Sequence, residues 1–410
     1  MADWRCRALA VLLLAACARP EVGTVATPET QIPEIRIGVV PSAATIALGG
    51  GGALLLSAPD GALVSELAAG TTATVSGGPS GLRIRLAGAT VSGGAQLGLT
   101  PADSGAAVRI NGREYRGRFL LSAEAAGVSA VNLLDVEQYL DGVVGAEMGK
   151  RTELELEALR AQAVISRTVA LKALGRWRLR GYDLVATVAD QAYAGIGFET
   201  PVSNRAVEET RGEVVTWQGQ VIDAFFHSTC GGRTADGTEV FAGADRPYLR
   251  SIHDVDELGR VWCSISPRFH WQESWTGDAL RRTLAETLPA AGGSAELART
   301  LQDLRVVDRT ATGRVAHLSI RGERAGLTVT GPVARLLLRS ADGSILRSAN
   351  FTLQLTRSGA RVVQLVAQGS GAGHGVGMCQ WGALARSRAG ASYQAILSAY
   401  FPGTEITRTY

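Results

Sequence analysis

The chain has 410 residues, and 41 basic against 38 acidic side chains give a formal charge of +3. So even a balance offers no electrostatic footprint for nucleic acid, which proteins hold with clustered Lys and Arg. Hydrophobic residues make up 46%, enough for a sizeable core, and 50 glycines announce many turns.

The chain opens with Arg5 and Arg7 ahead of an apolar run from Ala8 to Ala16. That run is far shorter than the roughly 20 residues a membrane-spanning helix needs. It reads as an export signal over residues 1–16. Leu14-Ala15-Ala16-Cys17 resembles the bacterial lipobox, in which the Cys becomes the lipidated first residue of the mature protein. Cys17 is therefore expected to carry the anchor and residues 17–33, rich in Pro, Thr and Val, to form a tether. The expected location is extracytoplasmic, on the envelope membrane (its periplasmic face in a diderm).

Residues 34–134 are mostly short alternating runs broken by Gly, Pro and Ser, which predicts a β-rich part. In GLRIRLAGA, Leu82, Ile84 and Leu86 face one way and Arg83 and Arg85 the other. Helical spacing begins at Asp135. Thr152 with Glu155 three residues on makes a capping box for a long buried helix carrying Gln162, Ser166 and Arg167. β character returns from Tyr182 to Ile252, with a hairpin turn at Trp217-Gln218-Gly219-Gln220. The spacing predicts a helix from Trp271 to Leu301, broken at Pro289, inside an additional α/β subdomain over 268–340. Strands follow, then a glycine-rich loop and helices at about Gln380–Arg388 and Ser392–Tyr400. The fold class is α+β, with mixed or antiparallel sheets, and no βαβ periodicity is present.

Four clusters carry possible chemistry. Glu147 follows an apolar run (Val143, Val144, Ala146) and precedes Met148. Desolvation raises the pKa of such a carboxyl and suits it to general acid work near neutrality. GSGAGHGVGMCQWGA holds His374 and Gln380 in a loop whose glycines allow close backbone approach, and no dinucleotide-binding register fits it. FFHSTCGG brings His227 and Ser228 together but lacks a G-x-S-x-G elbow and an orienting acid. DQAYAG supplies the Gln191 amide and the Tyr193 phenol. Beyond Cys6 and Cys17, three cysteines remain, and in an oxidising compartment a Cys230–Cys263 disulfide with Cys379 left over is the preferred arithmetic. A metal built on His227-x-x-Cys230 is the weaker alternative, so no metal or cofactor is expected.

Taken in order, GVVGAEM with ELEALRAQAVISRTVAL, then DQAY, then FFHSTCGGRT with PYLRS, then GHGVGMCQWGA with YFPGTEI, resemble the SpoIID/LytB family of bacterial cell-wall proteins. The resemblance covers roughly residues 35–406 and implies a two-part architecture around a cleft, with 135–410 as the catalytic region. It implies a lytic transglycosylase that cleaves peptidoglycan strands stripped of stem peptides, with Glu147 as acid and then base. Gln162, Arg167, Gln191, Tyr193, His227, Ser228, His374 and Gln380 are the implied groove residues. The LytB side of the family implies another role, a non-catalytic glycan binder that stimulates a cell-wall amidase. Some members carry zinc just before DQAY, where this chain has Val185, Ala189 and Asp190, so that requirement does not carry over. Cys379 stands where the family more usually has Ser.

Overall fold

The computed structural model describes residues 31–86 and 88–410. The expected signal segment, Cys17 and residues 17–30 of the tether lie outside the described residues. The chain is α+β with several largely antiparallel sheets. Among the described residues the helices are α1 (Val136–Met148), α2 (Leu156–Lys172), α3 (Pro201–Glu209), α4 (Gly277–Thr287), α5 (Ala295–Arg299), α6 (Gly331–Leu337), α7 (Gln380–Arg388) and α8 (Tyr393–Tyr400).

Two sheets built mainly from the first hundred described residues enclose the start of the core. In one, Thr45–Gly50, Thr72–Ser76, Arg83–Leu86 and Ala89–Ser92 pair in succession. Leu82 and Ile84 are fully buried there while Arg83 and Arg85 face solvent, as period-two alternation requires. In the other, Glu34–Ala43 pairs antiparallel with Gly127–Asp135, setting Ile35 opposite Leu134 and Ile37 opposite Asn132. The Gly127–Asp135 strand runs straight into α1, and the Asp135 carboxylate accepts from the Gln138 N–H at 2.9 Å to cap it. This sheet therefore aims the helix that ends in Glu147.

Thr152 and Glu155 form the expected capping box, and α2 follows as the central buried helix, packed on α1, α3, α7 and α8. The strand Glu213–Trp217 turns back at Gln218 and Gly219, both with positive φ (50° and 74°), a two-residue hairpin turn. On its other side it pairs with Glu405–Arg408 near the end of the chain.

A second hydrophobic core gathers Trp271, Trp275, Leu280, Leu284, Leu318, Ile320, Phe351 and Leu365. It draws on strands well past residue 340, because Phe351–Ser358 and Arg361–Ser370 complete the sheet begun by His270–Thr276. The expected helix from Trp271 is corrected here: helix starts only at Gly277, and Trp271 and Trp275 point inward from a strand. Apolar residues four apart satisfy either period, so spacing alone misassigned the segment. The Arg361–Ser370 strand leads through the glycine loop to Met378–Cys379, which pairs in parallel with Phe226–His227 and opens α7. The loop thus joins the second core to the first.

Candidate active site

Glu147 occupies the last turn of α1, ahead of the long helix α2. Gly142 and Gly145 make its setting. A Cβ on Gly145 would come within 2.0 Å of the Phe198 carbonyl oxygen, and one on Gly142 within 2.6 Å of the Tyr193 ring. Their bare surface lets the 192–198 segment lie directly on the helix, where the Ala192 N–H donates to Glu147 Oε1 at 2.5 Å. Gln380, the first residue of α7, also favours the ionised form of the carboxyl. Burial raises the Glu147 pKa, and these two donors pull part of the way back. Both groups are neutral, and among the described residues no charged group contributes to the shift.

Behind Glu147 runs a chain of amides. Gln380 Nε2 donates to Gln162 Oε1 at 3.3 Å, and Gln162 Nε2 donates to Ser166 Oγ at 3.0 Å. Gln191 lies fully buried and donates to the Ser166 carbonyl at 3.3 Å and the Tyr139 hydroxyl at 3.4 Å. Burial, with Glu147 nearby, pushes the Tyr139 phenol well up, so it stays a neutral donor. Gln162, Gln191 and Gln380 therefore form a buried network around the carboxyl.

The other expected groove residues sit elsewhere. Arg167 is fully buried, with Nε and Nη2 on the two oxygens of Glu137 at 2.9 and 2.7 Å and Nη1 on the Glu213 carbonyl at 3.0 Å. It clamps α1 to α2 and cannot reach a substrate. Tyr193 is a core aromatic whose hydroxyl donates to Asn132 Oδ1 at 2.7 Å, with Tyr115 and Tyr139 against its ring. It braces the 192–198 segment. His227 is buried with Nδ1 3.1 Å from the Val376 carbonyl, and His374 lies 5.5 Å away ring to ring. Burial lowers both imidazoles, His374 to about 4, so both are neutral at physiological pH. His374 faces a narrow cavity with Glu239, Arg314 and Arg335, and neither ring hydrogen-bonds Glu147 among the described residues. Ser228 acts through its backbone, its carbonyl accepting from Trp381 N at 3.1 Å to set the start of α7.

Sequence reasoning missed two features. Arg151 lies over the half-exposed Trp381 ring at 5.1 Å, and these residues follow Glu147 and Gln380 closely in the chain. Asp141 is a further, half-buried acid of α1. Burial and then Glu199 raise its pKa to about 7, although Arg116 opposes this. Because the folded value exceeds the free one, the fold favours protonated Asp141, and stability falls as pH rises from about 4 to about 7. Asp141→Asn should remove that penalty. Its melting temperature should match the parent near pH 4 and exceed it above pH 7, by a gap worth about 2–4 kcal/mol. A gap that does not change with pH would refute this assignment.

The family-type zinc ligands before DQAY do not fit here. Val185 and Ala189 offer no ligand atom, and Asp190 is engaged by Arg176 and by the Val185 N–H at 2.8 Å. The expected Cys230–Cys263 bridge is also replaced: both are free thiols with Sγ atoms 3.4 Å apart, and Cys379 joins them.

Residues 124–217, which hold α1, Glu147, α2 and the 192–198 segment, match the family model SpoIID, described as Stage II sporulation protein. Over this stretch the chain is similar to the SpoIID family. Residues 262–377 match a domain of unknown function (DUF8618), which coincides with most of the second core. An uncharacterized protein of Brachyspira hyodysenteriae is 29% identical over 72% of this chain and 73% of its own length. Stage II sporulation protein D of Bacillus subtilis is 28% identical, over 68% of this chain and 76% of that protein. The amidase enhancer of the same organism is also 28% identical, over 65% of this chain, which spans only 40% of that longer protein. The SpoIID match thus covers the carboxyl, Gln162 and Gln191, and leaves Gln380 and the glycine loop outside it.

Proposed function

We propose that this chain is a peptidoglycan lytic transglycosylase that cleaves the MurNAc–GlcNAc β-1,4 bond of denuded glycan and leaves 1,6-anhydroMurNAc ends. The observation that carries this reading is the half-buried Glu147 carboxyl, whose hydrogen-bond partners among the described residues are neutral. A retaining hydrolase sets a second carboxyl about 5–5.5 Å away as nucleophile, and an inverting one needs a base to activate water. A paired carboxylate would push on Glu147 electrostatically, whereas among the described residues its shift comes from burial opposed by neutral donors.

A transglycosylase needs one group in two states. Protonated Glu147 gives its proton to the glycosidic oxygen as the bond to C1 of MurNAc breaks. Ionised Glu147 then takes the proton of the C6 hydroxyl as O6 closes on C1, and the acid is restored. The raised pKa supports the first half, and the Ala192 N–H and Gln380 stabilise the anion between the halves. Trp381 offers a ring for a sugar face, and the Arg151 guanidinium beside it suits the free lactyl carboxylate of a muramic acid without its peptide. An amide-linked stem peptide would cancel that charge.

Digestion of peptide-free and peptide-bearing glycan by the folded protein, followed by mass spectrometry of the ends, tests the proposal. Anhydromuramic products from the peptide-free strands are expected. Their absence would overturn it. The similarity to an amidase enhancer supports a second reading, a glycan binder that activates an amidase. Stimulation of a cell-wall amidase that survives loss of the Glu147 carboxyl would favour that one.

A further inference from the structure

Away from Glu147, three segments distant in sequence bring Cys230, Asp254, Cys263 and Cys379 together. One ligand atom from each lies within 4.8 Å of all the others, and all four residues are buried. We propose that these residues form a zinc site, Cys3Asp, that fastens the Phe226–Gly232 strand and turn, the 254–263 segment and the start of α7 to one another.

The spacing suits such an ion. Tetrahedral zinc with Zn–S of about 2.3 Å needs sulfurs a little under 4 Å apart. Cys230 Sγ is 3.4 Å from Cys263 Sγ and 3.3 Å from Asp254 Oδ2, so only a small expansion is required. The surroundings are arranged for sulfur anions. The Cys230 N–H donates to Cys379 Sγ at 3.2 Å, the Gly232 N–H to Cys230 Sγ at 3.4 Å, and the Gly382 N–H in the first turn of α7 to Cys379 Sγ at 3.4 Å. Gly231 and Gly232 both have positive φ, so the Cys-Gly-Gly turn can direct its amides at the cluster.

Asp254 is held as a metal-binding carboxylate is held. Arg386 (3.0 Å) and the Tyr400 hydroxyl (2.9 Å) both bind Oδ1, which leaves Oδ2 toward the sulfurs. Gly382 is needed for this approach, because a Cβ there would meet the Tyr400 hydroxyl at 2.1 Å and Asp254 Oδ2 at 2.4 Å. A disulfide between any two of the cysteines would leave a buried thiol and a carboxylate oxygen behind. One divalent cation uses all four groups. His227 lies outside this group of ligand atoms.

The test is metal content of the full chain purified under reducing conditions and then incubated with zinc alone. About one zinc per chain is expected, with the three thiols unreactive to alkylation until a chelator is added. Cobalt in place of zinc should give the intense visible absorption of a tetrahedral thiolate site. Cys379→Ser and Asp254→Asn should each reduce bound metal at least about tenfold. If Cys379→Ser does not fold, the cobalt spectrum of the parent decides alone. A chain that binds no zinc or cobalt, or that carries a Cys230–Cys263 disulfide and excludes metal, overturns the proposal. These readouts are independent of any activity on glycan.

Discussion

Glu147→Gln is expected to lower turnover on denuded glycan by at least about a thousandfold while glycan binding stays within about twofold of the parent. The amide keeps the shape of the carboxyl and can still meet Gln380, but it can neither give the proton to the leaving oxygen nor take one from the C6 hydroxyl. Product analysis by mass spectrometry and pull-down with insoluble glycan read the two properties separately. The parent's rate should fall as pH rises through the raised Glu147 pKa, because the first stroke needs the protonated acid. Turnover retained in Glu147→Gln would remove the carboxyl from the chemistry. A loss equalled by Asp141→Asn would move the acid one and a half turns back along α1.

Arg167→Met should be the most destabilising single change in the SpoIID-matched region, at about 3–5 kcal/mol in urea denaturation. The loss does not measure the strength of one ion pair. Glu137 would remain buried, with only the Gly212 N–H at 3.2 Å and the Tyr410 hydroxyl at 2.6 Å on its Oε1. The carbonyls of Val207 and Glu213 would each also lose the donor that Arg167 supplies. Glu137→Leu combined with Arg167→Met should recover a large part of the loss, because no unpaired charge is then left inside. A single variant within about 1 kcal/mol of the parent would contradict the clamp assigned to Arg167.

The local parts of this architecture were legible in the sequence. Capping at Thr152, the alternation around Ile84, the turn at Gln218-Gly219 and the one-turn pair Gln162–Ser166 each depend on neighbours a few residues apart, where pattern carries the information. Glu147 was legible as a carboxyl among apolar residues. Its surroundings were not. Arg167 and Tyr193 looked like polar groups free to meet a ligand, but their partners are Glu137, 30 residues away, and Asn132, 61 residues away. The meeting of the three cysteines was hidden for the same reason: Cys379 is 149 residues from Cys230, and nothing in spacing announces that a glycine loop carries it there. His227 and His374 stood out as rare residues, yet burial makes them neutral packing partners.

The bare face of α1 has a consequence for how the site opens and closes. Two glycines and two adjacent valines make Val136–Met148 a poor helix by intrinsic propensity, so its persistence depends on what lies against it. What lies against the glycines is the 192–198 segment, which also holds the donor for Glu147. The helix turn and the segment should therefore behave as one cooperative unit in native-state hydrogen exchange, their amides protected together and released together. Loss of the segment would take the acid's last helical turn with it, so the carboxyl is either fully framed or not displayed at all.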